Sequence, residues 1–255
     1  MSPFDPIDSA LAPAPDPKRV AGLTDTPYAH RGLHGAGRIE NSRSAFDAAI
    51  AAGHGIELDV QASADGEAFV IHDYDLGRLT GSRGKVAERN SAELKAIGLA
   101  GTEEMLAPLS DILASIAGRV PLLIELKAPN RRVGRLCGAV RRALEGYGGT
   151  VGIMSFNPEV GRWFAWHAPH LARGLVVTES GKKGLRGRFE RHLSLWRARP
   201  DFLAFDIRDL PSRFAARQRA RGLPVLTWTV RTAAERARAA AHADQIIYEL
   251  GPDPL

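Results

Sequence analysis

The sequence has a single cysteine and no apolar segment long enough to cross a bilayer. With only Cys137 among 255 residues, an intramolecular disulfide is impossible, so nothing points to an oxidising compartment. Cys137 itself is expected to be a small core side chain. A membrane-spanning helix needs about 20 predominantly apolar residues, and no such run occurs.

The first 26 residues lack the features of a signal peptide. They are rich in Pro, Ala and Asp and have neither a charged start nor an apolar block. We therefore expect residues 1–26 to be a loosely ordered leader and the protein to be cytoplasmic. The glycine-containing stretches also lack the spacing of Walker or dinucleotide-binding loops.

An excess of charge of one sign is also missing. The net charge of +5, from 34 basic and 29 acidic residues, favours anionic ligands but does not predict a nucleic-acid partner. The chain is 44% hydrophobic and 25% charged, as is ordinary for a globular protein, and long enough for one sizeable core. We predict a single domain over residues 27–255.

Short β-like runs alternate with longer helical patterns over this domain. Such alternation predicts a parallel sheet, and eight strands fit a closed (β/α)₈ (TIM) barrel, with a doubly wound open sheet as the alternative. The predicted strands are residues 27–30, 55–60, 120–127, 151–156, 173–178, 201–207, 223–230 and 245–249. The predicted helices are residues 42–52, 109–116, 131–145, 158–167, 189–198, 211–221 and 232–242.

One segment, about residues 61–105, interrupts the alternation. The pair Asp65-Gly66 is a turn signal, and its flanks can form an antiparallel hairpin after the second strand. If the turn centres on that pair, His72 lies opposite Asp59. The remainder reads as a small insertion that ends in a helix.

Acidic side chains stand inside two apolar strands. Alternate side chains of a strand share a face, so Glu57 and Asp59 point the same way in "GIELDV". Glu125 and Lys127 repeat this arrangement in "LLIELK". Each alone is more common as a solvent-facing residue. In a parallel barrel, however, the strand ends gather on the rim that hosts the active site.

These residue types suit phosphoester chemistry. Three carboxylates at close quarters repel one another unless a cation is bound, and oxygen ligands suit Mg²⁺, Ca²⁺ or Mn²⁺. Arg31 and Lys127 offer positive donors to a phosphate. His30, at the end of the first strand, and His72 can supply a general acid and a general base.

The chain resembles the glycerophosphodiester phosphodiesterases of the phospholipase C-like superfamily. The motifs that carry the resemblance are "AHRGLHGAGRIENSRSAF", "GIELDVQASADGEAFVIHD", "LGRLTGSRGKV", "LLIELK", "MSF" and "LTWTVR". They occur in a consistent order and extend over about residues 28–252. Each motif is weak alone, whereas the ordered set is highly specific.

The resemblance implies a (β/α)₈ barrel that hydrolyses glycerophosphodiesters to glycerol 3-phosphate and an alcohol with one divalent metal ion. It does not decide which histidine is the acid, or whether water attacks directly or after a cyclic phosphate forms. Two alternatives remain open: lysophospholipase D-type cleavage of lyso-phospholipids, and a non-catalytic ligand-binding barrel. The implied residues are Glu57, Asp59 and Glu125 for the metal, His30 and His72 for catalysis, Arg31 and Lys127 for phosphate, and Glu40 and Asn41 as support, with Glu40 expected to support the metal site.

Several positions depart from the family pattern or leave two interpretations. Trp228 is retained and could flank the glycerol moiety or pack in the core. Arg231 replaces a neutral polar residue, and Tyr248 and Glu249 replace a Thr followed by Asp or Asn, so their contributions stay open.

The basic segment 181–197 also contains Leu185, Phe189, Leu193 and Trp196. It predicts either peripheral contact with an anionic membrane or a solvated loop followed by a helix whose apolar face packs on the core.

Overall fold

Eight parallel strands close into a barrel in the computed structural model, which describes residues 4–35 and 37–251. Closure follows because β1 pairs with both β2 and β9, while β3 adds an antiparallel strand outside the ring. Residues 1–3 and 252–255 of the predicted leader and domain lie outside the described residues. The strands are β1 (Tyr28–His30), β2 (Gly55–Ala62), β3 (Ala68–Val70), β4 (Leu122–Leu126), β5 (Val151–Ser155), β6 (Ala172–Val177), β7 (Phe202–Asp206), β8 (Val225–Val230) and β9 (Gln245–Tyr248).

Helices follow the strands around the barrel, so the predicted (β/α)₈ architecture is confirmed. The predicted elements agree with the observed ones at their ends to within a few residues, except that α9 begins at Leu185 and not at residue 189. Ser42 caps α3, its Oγ accepting from the Ala45 N–H. The helices are α1 (Asp5–Leu11), α2 (Pro17–Val20), α3 (Arg43–Ala51), α4 (Gly77–Thr80), α5 (Ser91–Lys95), α6 (Leu109–Ile116), α7 (Gly134–Ala143), α8 (Pro158–His167), α9 (Leu185–Ala198), α10 (Arg213–Ala220) and α11 (Ala233–His242).

Strand alternation separates two apolar layers. Ile56 and Leu58 of β2 point outward into the layer between barrel and helices, which leaves the intervening acids facing the barrel axis. Inside the barrel, Phe202 fills the space next to Gly174, where an added Cβ would lie 2.4 Å from the ring. The interior of the barrel is therefore a packed core, and the candidate site lies at the carboxyl ends of the strands.

The insertion after β2 has the predicted hairpin, but with a different register. β3 pairs Val70 with Val60, and residues 63–67 form the connection, so the hairpin does not have a two-residue turn at its centre. His72 consequently lies past the end of β3 and is not opposite Asp59. The Asp59 carbonyl instead accepts a hydrogen bond from the N–H of Ile71. The rest of the insertion, which includes α4 and α5, packs around its own small apolar cluster.

The amino-terminal segment differs from the expected loose leader. Within residues 4–26, α1 packs against α9, and the fully buried Asp8 carboxylate accepts hydrogen bonds from three side chains. The donors are His192 Nδ1 at 2.8 Å, Trp196 Nε1 at 2.7 Å and Gln218 Nε2 at 2.8 Å. A buried carboxylate with three donors ties this segment to the barrel.

Replacing Asp8 tests this attachment. Asp8→Ala leaves three buried donors without an acceptor, so we expect a loss of about 2–4 kcal/mol in the free energy of unfolding, measured by urea denaturation. The matched control is Asp47→Ala, because Asp47 is two-thirds exposed. Equal effects of the two substitutions would show that Asp8 does not hold the segment in place.

Candidate active site

Strand register brings the predicted acids together at the carboxyl ends of neighbouring strands. His30 of β1 pairs with Glu57 of β2, and Asp59 of β2 pairs with Glu125 of β4. Each of the three acids offers a carboxylate oxygen, and these oxygens all lie within 4.8 Å of one another. The acid pair of one strand and the acid of the next thus form one cluster, the acidic trio Glu57, Asp59 and Glu125.

Burial makes the acidic trio electrostatically costly. Burial raises the pKa of Glu57 well above its usual value, and the charges of Asp59 and Glu125 raise it further. Burial also raises the pKa of Glu125 to about 7, although Lys127 opposes the shift. Burial alone would raise the pKa of Asp59, but the charges of Lys127 and Arg31, with His72 and His30, lower it overall.

Two cations face this trio. Lys127 Nζ lies 2.6 Å from Glu125 Oε1 and 2.9 Å from Asp59 Oδ1, and Arg31 Nε lies 3.1 Å from Asp59 Oδ2. An ammonium group has three hydrogens, so Lys127 keeps one for a further acceptor. Both predicted phosphate-binding residues are therefore at the site, in contact with the acids.

The trio fits a hard divalent cation. Within the described ranges, the buried Oε1 of Glu57 has no hydrogen-bond donor. The three carboxyl groups outnumber the two cationic side chains and offer oxygen atoms, the ligand type that Mg²⁺, Ca²⁺ and Mn²⁺ prefer. His30, His34 and Glu249 also approach one another, but this group has one carboxylate, paired with Arg231 at 2.6 Å, where the acidic trio has three.

The loop after β1 orients the acids. Arg31 adopts a left-handed backbone (φ 57°), and its N–H donates to Glu57 Oε2 at 3.0 Å. Asn41, also left-handed (φ 58°), donates from Nδ2 to Asp59 Oδ2 at 3.0 Å and accepts from the Asp59 N–H at 3.2 Å. Asn41 thus supports Asp59 directly, as a residue tolerant of this conformation.

Glu40 reaches the acidic trio through Arg31 and not by a direct contact, and its support of the metal site stays a prediction. Its carboxylate accepts from Arg31 Nη1 at 2.8 Å and from Arg78 Nη2 at 2.7 Å. Arg78 also pairs with Asp73, so it joins the first loop to the insertion. Sequence reasoning gave Arg78 no role, although it lies in the "LGRLTGSRGKV" motif.

Both predicted catalytic histidines have one ring nitrogen bonded to a carboxylate. His30 Nδ1 lies 2.5 Å from Glu249 Oε1, and His72 Nδ1 lies 2.7 Å from Asp73 Oδ1. The carboxylates favour the tautomer that carries hydrogen on Nδ1, which leaves each Nε2 available to a ligand. Glu249 and Arg231, two of the three departures from the family pattern, are thus bonded to each other beside His30.

A cavity of about 310 Å³ opens above the trio at the barrel end. Trp228 lines it and meets Phe156 edge-on, with ring centroids 5.5 Å apart. The Trp228 Nε1–H donates to the Ala204 carbonyl at 2.9 Å, which fixes the ring. Asp206 also lines the cavity, bonded to Arg208. The cavity combines an anionic floor, two histidines, cations and one aromatic wall.

A model of the Glycerophosphoryl diester phosphodiesterase family matches residues 30–253. The chain belongs to this family. Every residue of the cluster described above lies inside the matched region. The family match therefore covers the barrel from the last residue of β1 onward and the whole candidate site.

Similarity to individual proteins is partial in sequence and extensive in fold. The chain is 32% identical over 163 residues to YqiK of Bacillus subtilis (strain 168), described as uncharacterized, and 46% identical over 69 residues to a glycerophosphodiester phosphodiesterase of Bacillus altitudinis. These alignments cover 60% and 27% of the chain, and 66% and 28% of the relatives.

Solved structures of phosphodiesterases share the fold at low identity. A phosphodiesterase from Oleispira antarctica, in complex with the product sn-glycerol-3-phosphate, superposes with a TM-score of 0.76 at 21% identity, covering 89% of this chain and 94% of that one. A glycerophosphodiester phosphodiesterase from Thermotoga maritima gives 0.70 at 24% identity, covering 88% and 94%. These likenesses establish the barrel fold.

Metal binding tests the acidic trio. Glu57→Gln and Glu125→Gln each remove a charged oxygen ligand, so we expect Mn²⁺, Mg²⁺ or Ca²⁺ affinity in titration calorimetry to fall by at least about tenfold. Glu235→Gln is the matched control, because Glu235 lines the same cavity outside the trio. A larger loss in the control would place the cation elsewhere.

Proposed function

We propose that the protein hydrolyses glycerophosphodiesters to glycerol 3-phosphate and an alcohol, using one divalent metal ion. The observation that carries this proposal is the acidic trio facing two carboxylate-bonded histidines across one cavity. Oxygen ligands for a hard cation, positive side chains and a pair of proton-transfer groups are the parts that phosphodiester hydrolysis needs.

Glu57, Asp59 and Glu125 would hold the metal ion, which would supply charge neutralisation at the phosphate. Arg31 and Lys127 stand beside these acids and can each donate to a phosphate oxygen while keeping their carboxylate contacts. A phosphate bound by these cations would lie in the cavity that His30 and His72 also line.

His30 and His72 would move the protons. With Nδ1 bonded to Glu249 or Asp73, each ring presents Nε2 to the cavity, where one removes a proton from the nucleophile and the other protonates the leaving alcohol. The carboxylates hold the rings in this orientation. Phe156 and Trp228 offer an apolar wall for the carbon skeleton of the glycerol or of the alcohol.

The comparisons support the same substrate class. The structure of one neighbour is a complex with the product sn-glycerol-3-phosphate, and one relative is named a glycerophosphodiester phosphodiesterase. The cavity volume of about 310 Å³ lies in the range of small-molecule sites.

A release assay tests the proposal. The purified protein is incubated with glycerophosphocholine, glycerophosphoethanolamine or lysophosphatidylcholine, after EDTA treatment and after adding back Mg²⁺, Ca²⁺ or Mn²⁺. We expect metal-dependent release of glycerol 3-phosphate from the first two substrates. Lysophosphatidate as the only product would favour a lysophospholipase D, and no turnover with any metal would favour a ligand-binding barrel.

Substitution of His72 should lower kcat more than substitution of Glu249, the partner of His30. His72→Ala should lower kcat by about 10²–10⁴ and leave metal affinity largely intact, because only proton transfer is lost. Glu249→Gln keeps the shape of Glu249 but weakens the orientation of His30, so kcat should fall less than in His72→Ala, with KM nearly unchanged. Asp111→Asn, at an exposed position, is the control. Full activity of His72→Ala would remove His72 from the mechanism.

A further inference from the structure

Exposed apolar side chains concentrate on three neighbouring helices. Among the described residues, ten large hydrophobic side chains are exposed, and six of them lie on α1, α8 and α9. Helix α9 contacts both of the other two helices. Isolated exposed hydrophobic residues are ordinary, whereas a concentration of this kind marks an interaction surface. The six residues are Ile7 and Leu11 on α1, Trp166 on α8, and Leu185, Phe189 and Leu193 on α9.

Helix α9 carries apolar residues on its outer side. Leu185, Phe189 and Leu193 follow at intervals of four and therefore share a face, and Leu185 is 81% exposed. The buried residues of α9 are instead Gly187, Arg191, His192, Leu195 and Ala198. The alternative of a helix with its main apolar face on the core therefore does not account for the outward Leu185, Phe189 and Leu193.

Positive charge surrounds these apolar residues. A groove of about 560 Å³ between α8 and α9 is lined by Trp166, Leu193 and Trp196 together with four arginines and no acid. Beneath it, Glu159 alone pairs with three of those arginines. Lys182 and Arg186, near the start of α9, both pair with Glu190, so these three side chains together keep one net positive charge. The arginines of the groove are Arg131, Arg162, Arg197 and Arg199.

We propose that this α8–α9 surface, formed by Trp166, Leu185, Phe189, Leu193 and their flanking cations, docks on an anionic lipid membrane. Apolar side chains flanked by Lys and Arg are the composition by which a helix lies in a membrane interface, and each basic residue near an anionic lipid surface adds to the attraction.

The charge of the surface also disfavours other occupants. A second copy of the chain would bring the same positive groove against itself, which like-charge repulsion opposes. No helix in the ranges that the structure describes is long and apolar enough to cross a membrane, so the contact is peripheral.

The α8–α9 surface adjoins the mouth of the active site. Phe156 and Val176 line both the active-site cavity and a second cavity of about 110 Å³, which is also lined by Lys182 and Arg191. Docking on α9 would therefore bring the active-site mouth close to the lipid surface. The docking itself does not depend on the proposed hydrolytic activity.

Vesicle co-sedimentation of the full chain tests this inference. Vesicles of phosphatidylcholine with about one-third phosphatidylglycerol should bind the protein at least about tenfold more strongly than pure phosphatidylcholine, and high salt should weaken the binding. Equal binding to both vesicle types, or none to either, would overturn the proposal. Absence of binding would leave an acidic protein as the partner to examine.

Two variants and a control locate the contact. Leu185→Ser/Phe189→Ser and Lys182→Glu/Arg186→Glu should each lower partitioning at least about tenfold, because they remove apolar contact or charge attraction. Met105→Ser, at a comparably exposed apolar position in the insertion, should not change partitioning. Brominated lipids should quench tryptophan fluorescence, and Trp166→Phe should remove most of that quenching. Equal losses in the Met105 control, or unchanged quenching in Trp166→Phe, would refute the assigned surface.

Discussion

Three carboxylates buried within a few ångströms of one another are the constraint on which the site depends. Glu57, Asp59 and Glu125 stand on adjacent strands whose outward side chains are apolar, so their placement follows from strand alternation and register. Their mutual repulsion is only partly offset by Arg31 and Lys127. A cation at the trio would therefore offset the cost that burial imposes.

A chain of charged contacts extends this arrangement into the insertion. Arg31 bonds Glu40, Glu40 bonds Arg78, Arg78 bonds Asp73, and Asp73 bonds His72. The position of one histidine thus depends on a loop that follows β1 and on a helix of the insertion. The other histidine, His30, is bonded to Glu249, which follows β9. Glu249 in turn accepts a hydrogen bond from Arg231, which follows β8.

Local sequence patterns predicted the strand faces and the order of the strands and helices. They did not predict contacts between residues far apart in the chain. The alternation in "GIELDV" predicts that Glu57 and Asp59 share a face, and the strand–helix order predicts the barrel. The hairpin register was wrong by one residue because a two-residue turn was assumed where five residues connect the strands. The roles of Glu249 and Asp8 could not be predicted, since their partners lie 219 and 184 residues away in the chain.

The hydrogen bonds of Asp8 join α1 to α9 and α10, and they bear on where the folding unit begins. The family match starts at residue 30. The carboxylate of Asp8, well before that residue, nevertheless accepts hydrogen bonds from His192 of α9 and Gln218 of α10. A clone trimmed to the matched region would expose an indole, an imidazole and an amide that now share one acceptor. For expression, crystallisation or placement of a tag, the natural boundary of this barrel therefore includes its first helix.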